Sequence, residues 1–110
     1  RAVSAAKLEA QALNERHDDH VREMRAMLDE AWSTAHRTAE LERFYETDLL
    51  PLADQSVTAA LLGWRSNRSM FEEVVMARRL ALETRLKHLR LAADRALAQH
   101  DIDYFAGEAR

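Results

Sequence analysis

A chain of 110 residues is one domain's worth of polypeptide, and 47% hydrophobic content with only 6% aromatic residues describes a core assembled largely from Ala and Leu. Two Gly and one Pro exclude a turn-rich sheet protein, while 16 basic against 19 acidic residues, a net charge of −3, leave no polybasic field for nucleic acid. Without cysteine there is neither a disulfide framework nor a thiolate zinc site, which leaves the compartment open, and no apolar run approaches the roughly 20 residues of a membrane-spanning helix.

The first predicted element is a long helical arm over about residues 3–65. Apolar residues recur at three and four spacing, first as Leu13, Val21, Met24, Leu28, Ala31 and Ala35, then as Leu41, Tyr45, Leu49 and Leu52. A helix of about 60 residues would be about 90 Å long, which nothing compact and monomeric requires. Arg1 already lies in helical sequence with no signal peptide before it, so the chain reads as a piece of a longer polypeptide. His17 and His20 stand at i and i+3 beside Asp18 and Asp19, where a helix face is able to share a metal ion between them; a solvated polar face reads the same way. Pro51 removes one intrahelical hydrogen bond and crowds the preceding turn. It either kinks a continuous helix or breaks it, with Asp48 capping a new helix from near Leu50.

Residues 63–73 combine helix-breaking and helix-starting signals. Asn67 tolerates the left-handed backbone region of a tight turn. Ser69 followed by Glu72 has the spacing of a capping box, in which hydroxyl and carboxylate satisfy each other's backbone N–H groups. The first arm therefore ends near residue 65 and a second starts at Ser69. Arg65 and Arg68 flank this tip, either as solubilising charge or as a docking contact. Trp64 either plugs the hairpin or anchors an interface.

The second arm covers about residues 69–106. Its predicted seam is Val75, Leu82, Leu86, Leu89, Ala93 and Ala96, a heptad alternation interrupted at Arg79, and Gly107 is expected to stop the helix. The fold class is thus all-α: residues 1–110 form a single long antiparallel helical hairpin with coiled-coil arms of unequal length. The N-terminal half of the longer arm has no partner within the chain. Ala on several faces of both arms implies neighbours on two sides, as in a barrel of helices. There is no nucleophile elbow and no Gly-rich phosphate loop, and His36, His88 and His100 have no partner at ligand spacing, so neither catalysis nor a cofactor is expected.

The run Tyr45-Glu46-Thr47-Asp48-Leu49-Leu50-Pro51-Leu52-Ala53, then residues 64–69, then Glu73-Val74-Val75-Met76-Ala77-Arg78, resembles the outer-membrane efflux protein family typified by TolC. That family shows a "Tyr…Leu-Leu-Pro-x-Ala" stretch, an "aromatic-x-x-Gly-x-x-Ser/Thr" tip and an "Asp-Val-Leu-x-Ala" start to the returning helix. The chain looks most like the second repeat of the heavy-metal-efflux (CzcC- and CusC-like) branch. The resemblance implies a trimeric subunit whose β-barrel sits in the outer membrane of a Gram-negative cell and continues as a long α-helical barrel across the periplasm. This chain would be one periplasmic hairpin, touching the membrane only through the barrel part outside it. The tip, Trp64, Arg65, Ser66, Asn67, Arg68 and Ser69, would meet a periplasmic adapter protein serving an inner-membrane pump. Trp64 stands at the family's tip aromatic, Asn67 at its Gly and Glu73 at an acidic position facing the pore. Ser69 replaces an Arg that locks the closed entrance in some members, and Met76 replaces a second pore acid, so the resemblance carries neither of those features.

A stand-alone periplasmic hairpin that binds metal through His17 and His20, or acts as a chaperone, is the alternative class. A cytoplasmic coiled-coil scaffold is a third. The transported substrate is not written in the residues.

Overall fold

A computed structural model describes residues 1–108. Its architecture is an all-α helical hairpin, with no strand among the described residues. The elements in order are α1 (Ala2–Phe44), a π-helical turn (Tyr45–Leu49), α2 (Leu50–Arg65) and α3 (Phe71–Glu108). Internal contacts divide the chain into two units, one of residues 35–97 and the other of residues 1–34 with the segment from Ala98 onward.

In the unit of residues 35–97, the end of α1, the π turn and α2 lead to the tip, and α3 returns. Val74, Ala81 and Leu91 are buried on α3, with Ala77, Thr84 and His88 half-buried between them, so the interior follows a strict three-four heptad alternation. This corrects the expected seam. Val75, Leu82, Leu86 and Leu89 repeat with the same period one residue or two further on, and they face outward at 43%, 58%, 48% and 63% exposure. One residue is a rotation of about 100° on a helix, enough to exchange the buried stripe for its neighbour. Ala77 and Ala81 at the true seam are small enough for two backbones to approach closely there, where leucines would hold them apart.

On the opposing side Glu42 and Ala53 are buried, and Tyr45, Leu49, Val57 and Ala60 are half-buried. Leu41 and Leu52, expected inside, are 41% and 56% exposed. The π turn explains Leu52. The N–H of Leu50 bonds to the carbonyl of Tyr45, five residues back, and this wider turn precedes Pro51, whose ring would otherwise meet the carbonyl four residues behind it. The turn absorbs one extra residue, so the residue one heptad and one position beyond Tyr45 is the one that turns inward, and that residue is Ala53. Backbone angles at Leu49 (φ −76°, ψ −41°) and Leu50 (φ −62°, ψ −49°) stay right-handed helical. Asp48 lies inside the π turn and caps nothing: the α2 start at Leu49 has no side-chain cap.

In the other unit every residue from 1 to 20 is exposed, including Leu13 at 64%, which therefore drops out of the expected stripe. The stripe begins at Val21, Met24 and Leu28, all half-buried, and reaches Ala31, which is buried. Ala98 and Ile102 are buried in the same unit, and Phe105 is half-buried with its ring 5.3 Å from that of Tyr104. Gly107, expected to stop the helix, lies inside α3 without a positive φ, so it is an ordinary helical residue and makes no left-handed cap.

Candidate functional site

The tip is a Schellman turn. Asn67 has φ 58°, the one positive value among the described non-glycine residues. Its N–H bonds to the Trp64 carbonyl at 3.1 Å, and the next N–H, of Arg68, bonds to the Gly63 carbonyl at 2.7 Å, satisfying two carbonyls that the end of α2 would otherwise leave open. The N–H of Ser69 also reaches the Gly63 carbonyl at 3.1 Å. Ser69 is thereby folded back over Gly63, and the expected capping box with Glu72 does not form. The Ser69 hydroxyl is buried without a hydrogen-bond partner, α3 starts at Phe71, and the Met70 carbonyl accepts from the N–H of Glu73. A Cβ added at Gly63 would lie 2.5 Å from Ser69 Oγ and 3.3 Å from its Cβ, which is why a residue without a side chain stands in the last turn of α2.

Trp64 packs on Phe71 across the turn, ring centres 5.2 Å apart and planes tilted by 58°, while both rings remain about half exposed. Arg65, Ser66, Asn67 and Arg68 are exposed around them, and Glu73 is exposed on the first turn of α3. The tip thus combines one aromatic pair with two exposed arginines on the same turn. Asn67→Ala is expected to lower unfolding stability by about 1–2 kcal/mol, the cost of a Cβ in the left-handed region, with Asn67→Gly within about 0.5 kcal/mol of the parent in urea titrations. Equal losses for both variants would mean that the Asn side chain, and not its backbone angle, holds the turn.

A second polar feature lies in the seam of residues 35–97. Arg95 grips Glu42 with both ends of its fork, Nε on Oε2 and a terminal nitrogen on Oε1 at 3.4 Å. His88 Nε2 lies 3.0 Å from Glu46 Oε1, and Arg85 donates to Asp54 at 2.8 Å. The Glu42 side chain is only 11% exposed. The hydrogen bond from Arg95 holds its carboxyl below the usual carboxylate range; burial pushes the other way, and the charges of Arg95 and His88 lower it further. A lowered carboxyl supports the fold fully above the range where the unfolded residue titrates, and loses that support as pH falls through its folded pKa.

These pairs join residues 31, 42 and 53 positions apart, beyond any local spacing rule. The available signal was the placing of His88 and Arg95 one heptad apart on α3, visible only once the seam is assigned to Ala81 rather than Leu82. His17 and His20 are both exposed, and their neighbour Asp19 pairs with Arg22 at 3.8 Å. His36, expected to lack a partner, lies 3.0 Å from Glu40. Among the described residues the group of three potential metal ligands is a different one: Glu42, Glu46 and His88, whose ligand atoms all lie within 4.8 Å of one another.

No family model, curated protein or solved structure matches the chain. No helix among the described residues is long and apolar enough to cross a membrane.

Proposed function

We propose that the chain is a periplasmic wall segment of an outer-membrane efflux channel subunit, with the hairpin tip as its contact for an adapter protein coupled to an inner-membrane pump. The observation that carries this reading is the Schellman turn centred on Asn67, the position where the TolC-like resemblance puts the family's tip glycine. The exposed aromatic pair and the guanidinium groups of Arg65 and Arg68 suit a protein-docking end. The outward stripe Val75, Leu82, Leu86 and Leu89 supports it independently, since a wall helix needs an apolar face for a neighbour beyond its own hairpin. In this reading the segment is conduit and docking element, it assembles as a trimer in the whole subunit, and the pump supplies both energy and selectivity.

The isolated chain should then sediment as a helical oligomer that dissociates on dilution. Sedimentation as a compact monomer at high concentration counts against the proposal. In the whole subunit, Arg65→Glu with Arg68→Glu should abolish co-purification with the adapter and leave the helical circular dichroism signal unchanged. Full efflux and undiminished adapter binding in that variant would remove the docking role. In the reading frame before Arg1, an alternating polar and apolar run of about ten residues is the expected outer-membrane strand.

A further inference from the structure

We propose that Glu42, Glu46 and His88 form a binding site for a divalent transition-metal cation of borderline softness, Zn2+ being the representative, on the seam of residues 35–97. Two carboxylates and one imidazole make a ligand set suited to such a cation, and one that leaves coordination positions open. The three ligand atoms lie within 4.8 Å of one another and come from both sides of the hairpin, so a cation among them would tie α3 to the end of α1 and the π turn. Their burial is graded from Glu42, which is buried, through His88 to the exposed Glu46, giving a site with a closed floor and an open mouth. The shallow groove at that mouth is lined by Ala39, Arg43 and Arg95 together with the two carboxylates.

The chemistry also names a competitor. Glu42 and Glu46 carry two negative charges, and Arg95 neutralises one of them through its fork on Glu42. A dication that binds both carboxylates competes with that guanidinium for the charge and lone pairs of Glu42. The Arg95 side chain is 53% exposed and has a long flexible stem, so it is free to swing into solvent when displaced. The site thus sets an internal cation, Arg95, in competition with an external one. It differs from the surface pair His17 and His20, and it does not depend on the channel reading.

Zinc titration of the full chain by calorimetry, with Co2+ absorption to report the ligand field, tests the proposal. The expected result is one site per chain, weakened at least about tenfold in His88→Ala and in Glu42→Gln, and unchanged in the double variant His17→Ala, His20→Ala. Arg95→Gln should bind zinc several-fold more tightly, because it removes the competitor; a purely structural salt bridge predicts no such gain. Circular dichroism on each variant separates loss of binding from loss of fold, and Arg95→Gln keeps the proposal exposed even where His88→Ala unfolds the seam. No saturable binding at millimolar zinc, binding lost with His17 and His20 instead, or weaker binding in Arg95→Gln would each overturn it.

Discussion

Leu91→Ala should cost about 2–4 kcal/mol of unfolding free energy, while Leu89→Ala, two residues away on the same helix, should change it by no more than about 0.5 kcal/mol. Leu91 is 5% exposed and Leu89 63%. Truncating the first removes buried methyl groups and leaves a cavity between α3 and its partner, whereas truncating the second removes atoms already in water. The measurement is urea unfolding followed by circular dichroism at micromolar chain concentration, where association between copies is weakest. Repeating it at high concentration adds a second readout. There the penalty for Leu89→Ala should grow if its stripe meets another copy, while the Leu91→Ala penalty stays fixed. A larger cost at Leu89 than at Leu91 in the dilute chain would show that the hairpin is zipped in the leucine register.

Deleting Thr47 while keeping Pro51 should destabilise the chain by about 3 kcal/mol, and the same deletion with Pro51→Ala should restore most of the loss. The reason is the extra residue in the π turn. Removing it restores a seven-residue step from Tyr45 to the present Ala53, so the seam stays in phase and Ala53 still turns inward. It also closes the turn to ordinary α geometry, which drives the proline ring into the carbonyl one turn before. Thr47 itself contributes an exposed hydroxyl bond to the Arg43 carbonyl at 2.9 Å, a small loss by comparison. Thermal unfolding of the deletion with and without Pro51→Ala separates the two effects. If the deletion alone is harmless, the π turn is not an accommodation of proline.

Much of this fold was readable from residue types because its signals are local. Asn67 marked the turn through its own backbone preference, the scarcity of Gly and Pro and the low aromatic content pointed to close helix packing, and the long apolar periodicity left little room for strand. What misled was size. Leu82, Leu86 and Leu89 and the set Val74, Ala77, Ala81, Thr84, His88 and Leu91 share one period, and the larger side chains look like the better core. The hairpin instead buries the smaller and partly polar set, because in a single pair of helices backbone approach competes with side-chain volume. Ser69 and Glu72 had the spacing of a cap, yet the left-handed turn just before them carries Ser69 back over Gly63, a tertiary placement that outweighs the local motif. The seam ion pairs are not legible in the sequence for a simpler reason: Glu42 and Arg95 meet only after the chain has folded back. Pro51 is plain in the sequence, but no spacing rule foretells whether a proline bends a helix, ends it, or is absorbed in a π turn.

The two stripes on α3 carry an architectural consequence. Centring one on Ala81 and Thr84 and the other on Leu82 and Leu86 sets their directions roughly 150° apart around the helix axis, at about 100° per residue. A helix clasped along both lines would be a corner of an open ring, where a helix clasped along one is half of a closed pair. In the proposed channel such corners would close into a hollow ring of helices; in the chain itself the outward stripe is an apolar face that its own hairpin leaves uncovered.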